Sequence, residues 1–184
     1  MLRAKRLTAQ QVVALWREFY EAHGPEVMRA AYGWTSPEAR PIRRGERVWA
    51  FYDQDDRDAC IGWGACYLSL DDPEDVEATL VVGVFPAYQR RGFRRQILDW
   101  MSEWAKAKGA EYARLVVFAE NEANHARHHR EADDPANPWV WAGDVWFPAA
   151  YSIFMRDLRD PRDLDGQSEA AETAEATEVA EAAE

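Results

Sequence analysis

The stretch VVGVFPAYQRRGFRR, Val81 to Arg95, limits what this chain can fold into more than any other. An apolar run stops at a proline, a single glycine sits among four arginines, and an amphipathic segment follows. That order reads as a buried strand, a sharp turn and a helix from about Phe93 to Lys108. Ile97, Met101, Trp104 and Lys108 line one face of the helix, Leu98 and Ala105 widen it, and Gly109 is its expected stop. Ala113–Phe118 (ARLVVF) is short and almost continuously apolar, as a strand buried in the middle of a sheet should be. Strand, crossover helix and strand make a βαβ-like unit with parallel strands. An α/β domain is therefore expected.

The preceding sequence supplies helices and a meander. Thr8 is a plausible N-cap for a helix through about His23, with Val12, Leu15, Trp16 and Phe19 on one stripe and Gly24-Pro25 as its end. A short helix over Glu26 to Tyr32 is predicted next, then a polar loop. Strands are predicted at Arg47–Tyr52, Ala59–Leu70 and Val76–Phe85, separated by acidic turns, with Gly62 and Gly64 marking close backbone approach or a bulge. After ARLVVF, Asn121 to about Glu131 has helical character, WVWAGDVWF reads as irregular, and Tyr151–Leu158 alternates like a closing strand.

Charge divides the chain into residues 1–159, one domain, and an acidic tail over 160–184. From Asp160 onward nine acidic residues face one arginine, so the tail carries −8 of the total −11 and the domain only −3. The tail repeats Glu every third residue with no apolar stripe to bury, and is expected to be disordered and solvating. The near-balanced domain argues against general nucleic-acid binding, which needs a basic face. Arg40, Arg43, Arg44 and Arg47 would be the residues for a phosphate-rich substrate. Cys60 and Cys66, six residues apart on one strand, are expected to share a face at roughly 20 Å, too far for a disulfide. They read as reduced residues of a cytoplasmic protein. No run approaches a membrane span. The many tryptophans leave room for an apolar homodimer face.

At the hinge of the βαβ unit, Gly92 lets the chain turn sharply and the backbone N–H groups that open the helix form an anion site. The arginines around it add charge for phosphates. The stretch lacks GxxxxGK[ST] and G-x-G-x-x-G, so it is neither a Walker loop nor a dinucleotide turn. It resembles motif A of the GNAT superfamily of acyl-CoA-dependent N-acyltransferases, through Val84-Phe85-Pro86 and then Gln89-Arg90-Arg91-Gly92-Phe93-Arg94. YQRRGFRR is especially similar to the bacterial protein-N-terminal acetyltransferases of that superfamily. The resemblance runs from about Arg47 to Leu158. It implies the GNAT fold: a mixed, mostly antiparallel sheet with a central splayed parallel pair, flanked by helices.

The resemblance also implies a reaction, transfer of an acetyl group from acetyl-CoA to a primary amine of a small molecule or protein, by direct attack in a ternary complex. The coenzyme arm would lie against Val82, Gly83 and Val84, with a backbone N–H near Val84 polarising the thioester. Residues Gln89 to Arg95 (Gln89, Arg90, Arg91, Gly92, Phe93, Arg94, Arg95) would hold the pyrophosphate. Asn121 would bind the arm near the thioester. His128 falls where the family has a tyrosine acid, and could serve as proton donor. Glu77, Glu120 and Tyr151 are the further candidates for acid or base. Glu77 has the opposite strand parity to Val82 and Val84, so only a bulge would bring it to the same side.

Two positions depart from the family pattern. Arg94 replaces its final small residue and crowds the first helical turn, and DDPANPWVWAGDVWF replaces its usual glycine-phenylalanine. The second departure implies a remodelled acceptor side, with Trp139, Trp141 and Trp146 as an aromatic wall and Asp144 to attract an ammonium group. A catalytically silent coenzyme- or partner-binding module is the alternative to an enzyme, and acetylation of an amine on a nucleic-acid base a third reading. No metal is expected: His125, His128 and His129 could share a helix face, but no neighbouring carboxylate or cysteine completes a set.

Overall fold

In the computed structural model, residues 2–38, 40, 42, 44–53, 59–69, 76–118, 122–145 and 151–159 are described. The acidic tail, the expected turns after residues 53 and 69, and the expected site residues Glu120 and Asn121 lie outside them. Along the chain come β1 (Leu2–Arg6), α1 (Ala9–His23), α2 (Pro25–Tyr32), β2 (Arg47–Asp53), β3 (Cys60–Ser69) and β4 (Glu77–Val84). A 3-10 turn (Pro86–Tyr88) leads to α3 (Phe93–Lys106), β5 (Tyr112–Phe118), α4 (Glu122–Ala132), β6 (Val140–Val145) and β7 (Tyr151–Asp157).

The strands form one seven-stranded sheet in the order β1-β2-β3-β4-β5-β7-β6. Only β4 and β5 run parallel; the other neighbours are antiparallel. This is the expected mixed sheet with a central parallel pair. Thr8 caps α1 in a full capping box, its hydroxyl accepting from the Gln11 N–H while the Gln11 side chain accepts from the Thr8 N–H. The stripe Val12, Leu15, Trp16 and Phe19 is buried, together with Met28 of α2, against Trp63, Ala65 and Phe85. On the other face Ile97, Leu98, Met101 and Ala105 of α3 pack on Leu80, Val82, Leu115 and Phe154.

Glycines set the distances between these layers. A Cβ on Gly64 would lie 2.3 Å from Met101 Sδ, and one on Gly62 2.4 Å from the Gly83 carbonyl oxygen, so the bare backbone lets α3 and β4 close on β3.

Two expectations are corrected, and one element was not expected. Leu2–Arg6, before the first predicted helix, is an edge strand on β2, and Val140–Val145 is a strand rather than irregular. The two cysteines do not share a face. The register of β2 on β3 shifts between Phe51 and Tyr52, so Phe51 pairs with Gly62 and Tyr52 with Cys60. The extra residue reverses the alternation. Cys66 joins the α3-side cluster and Cys60 packs on the α1-side cluster; both are free thiols. No described helix is long and apolar enough to cross a membrane.

Candidate active site

The parallel ladder between β4 and β5 is only four pairs long, from Glu77↔Tyr112 to Leu80↔Leu115. Beyond it each strand keeps its other neighbour: β4 stays on β3 to Val84↔Gly62, and β5 stays on β7 to Phe118↔Tyr151. The sheet therefore opens like a V. The Phe85 N–H donates to the Ile61 carbonyl on β3 at 3.0 Å. Donors alternate along a strand, so the N–H groups of Val84 and Val82 point the other way, into the gap. Gly83 turns toward Trp63 and Phe19 instead, where an added Cβ would meet both rings at under 3 Å.

At the mouth of the V sits the turn that opens α3. Gly92 takes φ +79° and caps the helix with no side chain, so the first N–H groups of the helix face outward. Arg90, just before it, is held at φ +61°, a left-handed backbone that costs a non-glycine residue about 1–2 kcal/mol. Arg91 stacks over the rings of Tyr88 and Phe93 at 5.5 and 5.2 Å. Gln89 folds back, its amide donating to the Val84 carbonyl at 3.4 Å and lying 3.1 Å from His23 Nε2. His23 Nδ1 is 3.0 Å from the Phe19 carbonyl, so its Nε2 is the acceptor for Gln89. Burial pulls the His23 pKa below the usual value, which keeps the ring neutral.

A cavity of about 770 Å³ connects the V to this turn. Val82, Val84, Gln89, Arg90, Gly92 and Arg94 are in its wall, as are Phe93, Arg95 and His128. The structure thus brings together most of the residues expected to hold a coenzyme. Two residues that the sequence did not single out also line it: His23 at the end of α1, and Tyr32 at the end of α2. Burial pushes the Tyr32 pKa up to about 12, against the pull of Arg94 and Arg127. The phenol stays protonated and remains a hydrogen-bond donor.

Arg94 and His128 form a bridge across the mouth. The Arg94 guanidinium on α3 donates to His128 Nε2 on α4, and His128 Nδ1 lies 3.3 Å from a Glu131 carboxylate oxygen. His128 is only 3% exposed. Burial first, then the positive charges of Arg94 and Arg127, lowers its pKa to about 2. The imidazole is neutral, with Nε2 accepting and Nδ1–H facing the carboxylate. It therefore has no free proton at Nε2 to give to a leaving group, and its geometry suits the positioning of Arg94.

The remaining expected residues divide. Glu77 stands at the closed end of the ladder, ion-paired with Arg114 at 2.9 Å, and is not part of the cavity wall. Tyr151 pairs with Phe118 in β7, close in register to the mouth, but its side chain lies outside the described residues. Trp139 is buried in the cavity wall, whereas Trp141 is half exposed and donates to Asp144 at 3.4 Å; Trp146 lies outside the described residues. Arg40, weighed for a phosphate-rich substrate, packs over Trp16 and Trp63 and pairs with Glu46. The fold also brings Asp144 to His125 and His129, the carboxylate that sequence spacing did not supply.

The family model described as the Acetyltransferase (GNAT) family matches residues 9–132. No curated protein matches the sequence. Among solved structures, a Salmonella typhimurium protein, YncA, solved with its cofactor acetyl-CoA, is similar at 17% identity and TM-score 0.57, covering 87% of this chain and 95% of that one. The ribosomal-protein-S18-alanine N-acetyltransferase from Escherichia coli is similar at 17% identity and TM-score 0.57, over 87% and 96% of the two chains. Mutant forms of the spermidine/spermine N-acetyltransferase SpeG from Vibrio cholerae are similar at 13% identity and TM-score 0.58, over 85% and 94%. At such identities the likeness speaks for the fold.

Proposed function

Because the chain belongs to the GNAT acetyltransferase family, we propose that it transfers an acetyl group from acetyl-CoA to a primary amine of a small molecule or protein. The observation that carries this reading is the V between β4 and β5, with strand N–H groups facing into it and a glycine-capped helix at its mouth. A pantetheine arm is a chain of amides and would pair with the open backbone of Val82 and Val84. The pyrophosphate would meet the N–H groups that open α3 and the side chains of Arg90, Arg94 and Arg95. An N–H near Val84 would polarise the thioester carbonyl and stabilise the tetrahedral oxyanion.

The amine must lose a proton before it attacks, since an alkylammonium with pKa about 10.4 is only about one part in 2,500 neutral at pH 7. Glu120 and Asn121 come two and three residues after β5 in the sequence, and β5 ends on the side where the V opens. We assign Glu120 to proton removal through water and Asn121 to the coenzyme arm. Tyr32, protonated in the cavity wall, donates a hydrogen bond to the leaving thiolate. His128 acts through Arg94 rather than on the thiol.

The Arg94 bridge favours one second reading, a GNAT-fold module that binds a coenzyme or partner without turnover. Calorimetry with acetyl-CoA, followed by thiol release over a panel of polyamines, amino acids and peptides, separates the two. Binding with turnover of at least one amine is expected, and Tyr32→Phe should lower kcat about a hundredfold with the KM for acetyl-CoA unchanged. Binding without turnover on any amine would favour the module, and no binding would overturn both.

A further inference from the structure

We propose that His125, His129 and Asp144 form a binding site for one divalent transition-metal ion, zinc being the best match, that clips the edge strand β6 to α4. The site stands apart from the coenzyme cavity: none of the three residues is in its wall. His125 and His129 are four residues apart on α4, so their rings project from one face of the helix. Asp144 comes from β6. One ligand atom from each residue lies within 4.8 Å of the others.

The spacing of the imidazoles is informative. Their Nε2 atoms are 3.3 Å apart. That is a long hydrogen bond, since N–H donors usually sit at about 2.9–3.0 Å. It is close to the distance between two ligands on a tetrahedral zinc, about 3.3–3.4 Å for bonds of about 2.0–2.1 Å. A ring pair linked by one proton needs no carboxylate beside it. A carboxylate beside two neutral imidazoles offsets part of the charge of a dication.

The surroundings fit a metal better than they fit a solvated histidine pair. The His129 ring packs against Trp141 at 5.5 Å and Phe154 at 5.3 Å, and Phe154 is fully buried. This apolar wall lowers the local dielectric and strengthens a charge-compensated site. The Trp141 indole N–H donates to Asp144 Oδ1 at 3.4 Å, an outer hydrogen bond of the kind that orients a ligating carboxylate. Asp144 is exposed, which gives its side chain room to move toward an ion. Two imidazoles and one carboxylate leave the fourth tetrahedral position to water or another small ligand. The set is borderline in softness, which suits zinc, cobalt or nickel and disfavours magnesium or calcium.

The test is a titration of the full-length protein with cobalt(II), then competition by zinc(II). One equivalent should bind with the visible d–d band of a tetrahedral centre, zinc should displace it, and zinc should raise the melting temperature. His129→Gln and Asp144→Asn should each weaken cobalt binding at least about tenfold, and Trp141→Phe less. Zinc should no longer raise the melting temperature of the first two variants. Should a variant fail to fold, X-ray absorption of the cobalt-loaded wild type must show two imidazole nitrogens and a carboxylate oxygen. No cobalt uptake by the wild type, a ligand set without two imidazoles, or equal affinity in wild type and folded variants would overturn the proposal. Equal affinity would mean that the ion sits elsewhere, the acidic tail included.

Discussion

A neutral, buried histidine should make the stability of this protein steeply dependent on pH, in a window that a single substitution can remove. His128 has a pKa of about 2 in the folded chain and an ordinary value of 6.5 when unfolded. The folded form is thus the poorer proton binder. Its contribution is fully present above pH 6.5 and is lost as pH falls toward 2, because the unfolded chain gains a proton that the folded chain cannot take. Between pH 7 and pH 5 this linkage removes about 2 kcal/mol. Glutamine places its side-chain oxygen near the position of Nε2 and can still accept from Arg94, so His128→Gln should fold. Denaturant unfolding of both proteins at pH 7 and pH 5 gives the comparison. The wild type should lose about 2 kcal/mol more than the variant. His23, whose pKa is also lowered, contributes in the same direction in both proteins and cancels. NMR of the His128 ring should show no titration down to pH 5. A ring that titrates near pH 6.5, or pH profiles that run parallel within about 0.5 kcal/mol, would refute the reasoning.

Two further perturbations address the V and its mouth. Gly83→Ala places a methyl 2.4 Å from Trp63 Nε1 and 2.7 Å from Phe19 Cζ, both rings being fully buried. It should cost about 1–3 kcal/mol in a denaturant melt, and an unchanged midpoint would show that the aromatic layer gives way freely. Arg90→Gln with Arg91→Gln should weaken acetyl-CoA binding about tenfold at low salt and much less at high salt, since both side chains are exposed and their charge is screened. Equal losses at the two ionic strengths would mean that these residues act through packing.

The parts of the molecule that local chemistry determines were legible in the sequence. Thr8 with Gln11 announces the start of α1, and the change from a period of two to one near 3.6 at Gly92 announces the turn into α3. The turn that opens α3 was readable because one glycine and its neighbours in sequence build it. What was not readable depends on pairing. The strand LRAKR is masked by its charges, although Leu2 and Ala4 alternate and pack on the core. VWAGDV contains a glycine and an aspartate, both poor strand residues, and pairs with β7 only through a register shift. The bulge that separates Cys60 from Cys66 is a property of two strands and of neither alone. Tyr32 and Asp144 reach their partners only through the tertiary fold, from helix α2 and strand β6, so spacing within a motif could not have found them.

The four-pair ladder from Glu77 to Leu80 has a mechanical consequence. Among the described residues it is the only strand pairing between β1 to β4 on one side and β5, β7 and β6 on the other, while α3 packs mainly on β3 and β4 and reaches β5. Two stiff plates held along a short seam can rock about it. A molecule wedged into the open side, bonded to the free strand edges, would act as a second seam and stop that rocking. The protein would then be most compliant while waiting for its coenzyme and most rigid once loaded. Amide hydrogens of Val82 and Val84 would lose the most exchange with solvent.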